Sequence, residues 1–87
     1  MQTVFIFHRK ATARRGARSL VVYDLAGMTY REHWDETENL DTLHRDVTRH
    51  LRATVRQFYS MPFNVVIVPV NSAKMDQLDH ATTAKNY

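Results

Sequence analysis

The chain has 87 residues, of which 44% are hydrophobic and 24% charged, with two glycines, two prolines and no cysteine. These figures describe one small globular domain spanning residues 1–87, and they exclude a disulfide framework, a thiolate metal site, an iron–sulfur cluster and a cysteine nucleophile. The net charge of +3 is the remainder of unequal stretches: residues 1–18 hold five cations and no acid, residues 19–44 six acids and one arginine, and residues 45–60 four arginines and one aspartate.

The first apolar run, Thr3-Val4-Phe5-Ile6-Phe7, is β-branched and aromatic without alternation, the pattern of a central strand covered on both faces. It is too short for a signal-peptide core. Residues 8–18 have no apolar period, contain Gly16 and read as an exposed loop or hairpin tip. Residues 20–23 form a second strand, and Asp24-Leu25-Ala26-Gly27 supplies turn chemistry. Met28, Tyr30, Glu32 and Trp34 then alternate with Thr29, Arg31 and His33, which predicts a third, half-exposed strand in a hairpin with the second.

Residues 35–41 are an acidic approach to a helix, with Asn39 or Thr37 as N-cap. The helix is expected over residues 40–60, ending before Pro62, because the residue before a proline avoids the helical region. At 100° per residue, Leu40, Leu43, Val47, Leu51, Thr54 and Phe58 share its apolar face. Residues 64–70 read as a second doubly buried strand, returning parallel to the first after a crossover helix. At its longest this apolar run is far short of the roughly 20 residues of a membrane span. Residues 71–87 form a weakly structured tail or short helix, with Ser72 as cap and Met75 and Leu78 as its thin apolar stripe. The expected fold is α+β, a single domain in βββαβ(α) order, with a mixed four-stranded sheet and one long amphipathic helix packed on one face.

Five groups of residues carry chemistry. Arg9, Lys10, Arg14, Arg15 and Arg18 can follow a phosphate backbone, since each contact releases condensed counterions and needs little fixed geometry; the alternative is a loop whose charges serve solubility. Arg45, Arg49, Arg52 and Arg56, spaced 4, 3 and 4, share a helical stripe about 60° wide, nearly opposite the apolar face. The stripe is either an ordinary polar face or an anion-binding ridge. Asp35, Glu36, Glu38 and Asp41 fit a helix dipole better than a metal site, because the calcium-loop spacing is missing.

Among the five histidines, His44 and His50 are six apart and cannot form the i, i+4 pair of zinc helices, while Asp46 and His50 are spaced as a surface pair. His8 and His33 could form an acid–base pair if their strands are neighbours. Tyr23, Tyr30 and Trp34 offer rings for stacking on unpaired bases, or for packing in a core or dimer interface. With only Gly16 and Gly27 there is no phosphate-cradling loop, nucleophile elbow or dinucleotide fingerprint.

The order of three strands, a helix, a strand and a weak helix resembles the first half of the ribonuclease H-like fold. Nucleases of that fold carry carboxylates on the first strand, the first helix and the end of the following strand. Here the first strand has none and the fourth ends Pro69-Val70-Asn71. The resemblance therefore implies a scaffold without metal-dependent catalysis. Leu20-Val21-Val22-Tyr23-Asp24 also resembles the opening strand of the small ferredoxin-like CRISPR adaptation nucleases, whose glycine and phenylalanine motifs do not follow.

The expected function is a small, non-catalytic accessory protein that binds nucleic-acid phosphates with little sequence preference. It is expected to need no metal or cofactor, to reside in the cytoplasm and to form a homodimer that covers surplus apolar surface. The alternative is a small protein-binding or inhibitory module of viral or mobile-element type. A third reading is a metal-independent nuclease using His8 and His33.

Overall fold

A computed structural model of the chain describes residues 1–10, 18–34 and 39–85, with side chains described as far as residue 78. Its elements are β1 (Gln2–Arg9), β2 (Ser19–Leu25), β3 (Met28–Trp34), α1 (Leu40–Thr54), a single 3-10 turn at Arg56–Phe58, β4 (Phe63–Pro69) and α2 (Ser72–Lys85). The strands form one mixed sheet in the order β3-β2-β1-β4. β2 is antiparallel to both β1 and β3, and β4 is parallel to β1. The α+β architecture and the parallel return of β4 after a crossover helix agree with the sequence reading.

Strand alternation sorts the core into two layers. On one face, Val4, Ile6, Val21, Tyr23, Leu25, Phe63 and Val65 meet Leu43, Val47, Leu51 and Phe58 from α1 and the turn after it. Each such side chain contributes roughly 1.5–3 kcal/mol by leaving water. On the other face Leu20 and Val22 pack with Met75 of α2, flanked by Phe7, Val70 and Leu78. The tail thus provides a second covering helix of 14 residues. Its cap is Asn71 rather than the expected Ser72: Asn71 Oδ1 accepts from the Lys74 amide at 2.8 Å.

Three further expectations change. α1 stops at Thr54 instead of continuing to residue 60. Val55 turns to extended backbone (φ −96°, ψ 110°) and its amide donates to the Leu51 carbonyl at 2.9 Å. The 3-10 turn that follows sets Phe58 on Phe63, ring centroids 4.1 Å apart, which closes the core where β4 begins. Second, β4 is an edge strand in which Val66, Ile67 and Val68 are only half-buried and Pro69 is exposed, not a doubly covered one. Third, β1 is central but incompletely covered, since Phe5 is 52% exposed on the α2 side.

Local sequence explains the remaining boundaries. Asn39 caps α1, its Oδ1 accepting from the Thr42 amide at 2.8 Å. Ala26 and Gly27, both at positive φ (51° and 79°), make the two-residue turn that joins β2 to β3. That backbone matches the right-handed twist of a hairpin.

Candidate nucleic-acid interface and an adjoining cleft

Pairing directions fix where the cations stand. β1, β3 and β4 all end, and β2 begins, at one edge of the molecule, so Lys10, Arg18 and the start of α1 lie at that end, and α1 runs back toward the opposite one. Lys10 and Arg18 are exposed at the two described ends of the basic connection, whereas Arg14 and Arg15 lie outside the described residues. Arg9 is half-buried; alternation turns it to the α2 side, opposite Leu20. Its Nε has no hydrogen-bond partner among the described residues. The acidic residues Asp35, Glu36 and Glu38 lie outside the described residues as well.

The helical arginines are all exposed. Because Leu43, Val47 and Leu51 are buried against the sheet, the positions opposite them face away from it. Arg45 stands nearest the end that carries Lys10 and Arg18, and Arg52 follows roughly 10 Å further along the axis at 1.5 Å per residue. Arg45 Nε is 3.6 Å from Asp46 Oδ1, an exposed ion pair of little strength. Arg49 has no acidic partner among the described residues. The Arg52 guanidinium lies 4.9 Å from the centroid of the Phe63 ring, which holds it toward β4. Arg56 is not part of the regular stripe, because α1 has ended before it; it lines a cleft at the far end of the helix.

That cleft has a volume of about 460 Å³ and lies between the β2–β3 hairpin and the end of α1. Tyr23 and Tyr30, opposite one another across the strands, stack with centroids 5.4 Å apart and planes at 16°. Beside them His50 Nε2 donates to Glu32 Oε1 at 3.2 Å, and the His50 ring meets Trp34 edge-on at 5.4 Å. Glu32 Oε2 is buried without a partner among the described residues. The phenol of Tyr23 is pushed well above its usual pKa, first by burial and then by the Glu32 carboxylate, so it stays protonated.

The condition for an acid–base pair of His8 and His33, neighbouring strands, is not met. His8 and His33 stand on strands separated by β2, and their register places them on opposite faces of the sheet. The proposed acid–base pair therefore has no shared site. Asp46 pairs with Arg45, leaving His50 to Glu32. A signal for this was present: at 100° per residue His50 falls within about 20° of Leu43, on the side that meets the sheet, and Glu32 alternates in phase with Tyr30 and Trp34. His44 marks the other margin of the buried face, its Nε2 donating to the Val65 carbonyl at 2.8 Å.

Among the described residues no group of three or more histidines and acids is placed to hold a metal ion, and no helix is long and apolar enough to cross a membrane. Compared with known proteins, the chain matches no family model, no curated protein and no solved structure.

Proposed function

We propose that the protein is a non-catalytic accessory module that binds nucleic-acid phosphates, using Arg9, Lys10, Arg14, Arg15 and Arg18 of the basic segment and Arg45, Arg49, Arg52 and Arg56 along and beyond α1. The observation that carries this reading is the outward arginine ridge of α1, whose acidic neighbours among the described residues of the helix are Asp46, weakly paired with Arg45, and Asp41 one turn before it. Adjacent cations repel, and a phosphate backbone relieves that repulsion while releasing its own counterions. No base-reading motif accompanies the ridge, so the contacts position rather than specify.

Fluorescence anisotropy with labelled single- and double-stranded oligonucleotides tests it. Affinity should fall steeply between about 50 and 200 mM salt, and Arg49→Ala should reduce the slope of log K against log salt by about 0.7–0.9. Absence of binding at the lower salt concentration overturns the reading. The second reading, a protein-binding or inhibitory module, is favoured by the position of β3 at the sheet edge, where a partner strand could add. It becomes the working hypothesis if no oligonucleotide binds.

A further inference from the structure

We infer that the cleft at the far end of α1 receives one unpaired nucleobase of a single-stranded nucleic acid. The inference rests on the phosphate-binding reading above and adds to it the strand form and the place where a base is held. A volume of about 460 Å³ is within the range of small-molecule sites and suits a single ring system with its sugar. Tyr23 is buried and stacked behind Tyr30, which is 37% exposed, so a rigid aromatic pair presents one accessible ring to the cleft. Any base has a face that can stack there.

The polar groups on the walls suit the edge of such a ring. The Glu32–His50 pair supplies a carboxylate held in place by an imidazole, able to accept from a ring or exocyclic N–H. The Gln57 side chain offers both a donor and an acceptor. Arg56 supplies the charge for the attached phosphate, and the exposed Arg49 and Arg45 on the outer face of α1 offer further cations for the phosphates that follow, whereas Arg52 is held over Phe63 on the β4 side. A base already paired within a duplex presents its edge to its complement and cannot enter a concave site, which is why the ligand is single-stranded.

The test uses the full chain, isotopically labelled, and an eight-nucleotide single-stranded DNA of mixed sequence, with the matching duplex as comparison. The single strand should bind more tightly than the duplex and shift the amide resonances of Tyr30, Glu32 and Gln57. Tyr30→Leu should weaken single-strand affinity by roughly 5- to 150-fold while leaving duplex affinity unchanged. Glu32→Gln, which keeps the shape of the side chain, should weaken it too. If the single strand binds and shifts only amides of the α1 arginines, or if Tyr30→Leu and Glu32→Gln bind as the parent does, the cleft inference is overturned while phosphate binding stands. If neither strand form binds, both readings fall together.

Discussion

His8 follows Val4 and Ile6 on the α1 side of β1, is 6% exposed, and its Nε2 has no hydrogen-bond partner among the described residues. Burial, and secondarily the charge of Lys10, holds its pKa below the ordinary value of 6.5. The unfolded chain therefore binds a proton near pH 6.5 that the folded chain refuses until lower pH, and over that window stability must fall as pH falls. Thermal unfolding followed from pH 7.5 downward should show a decreasing midpoint below about pH 6.5, with a shallower decrease in His8→Leu. Identical pH profiles for the two proteins would contradict this account. Glu32 illustrates the opposite limit of what one residue reveals: its place in the alternating strand is plain, but its partner on α1 is 18 positions away in sequence.

The β2–β3 hairpin shows how an element can be correct in outline and imperfect in detail. Its two turn residues need positive φ, which glycine adopts freely and alanine does not. Gly27 has open space around its Cα, so substitution there meets only backbone strain. Ala26 already bears such strain. Ala26→Asn would give the Asn-Gly pair that this turn prefers. It should stabilise the fold by roughly 0.5–1 kcal/mol, raising the melting midpoint by about 2–8 °C. An unchanged or lower midpoint would show that Ala26 is not strained. α1 offers a related lesson, because its apolar phase continues to Phe58 although the helix itself does not. Phe58 reaches the core through the 3-10 turn, so hydrophobic phase located the buried residue but not the helix end.

For the whole molecule, two helices on opposite faces cover most of the sheet but leave apolar surface on the α2 side of the β1–β4 pair. Phe5 is exposed there and adjoins Val66, which is half-buried, in the parallel register. We propose that a second copy covers this surface, forming the homodimer expected to bury surplus apolar surface. Sedimentation at micromolar concentration should then give a dimer, and Phe5→Glu should shift it to a monomer that remains folded. A monomeric parent protein would dismiss the proposal. At the same scale, the described cations are spread over the molecule: Lys10 and Arg18 stand at the end where β1 finishes and β2 begins, Arg45 and Arg49 on the outer face of α1, and Arg56 at the cleft near the opposite end.

The sequence by itself determined the element types, the hairpin, the core-facing residues of α1 and the uneven distribution of charge, because these depend on local periodicity, turn chemistry and composition. It could also specify that β4 returns parallel, since a crossover helix precedes it. The tertiary structure decided which distant residues meet. Strand order separated His8 from His33, the crossing of α1 over the sheet brought His50 to Glu32, and the end of the helix delivered Arg56 to the cleft beside Tyr30. Periodicity fixes the face on which a side chain lies, but only packing between elements fixes what stands opposite.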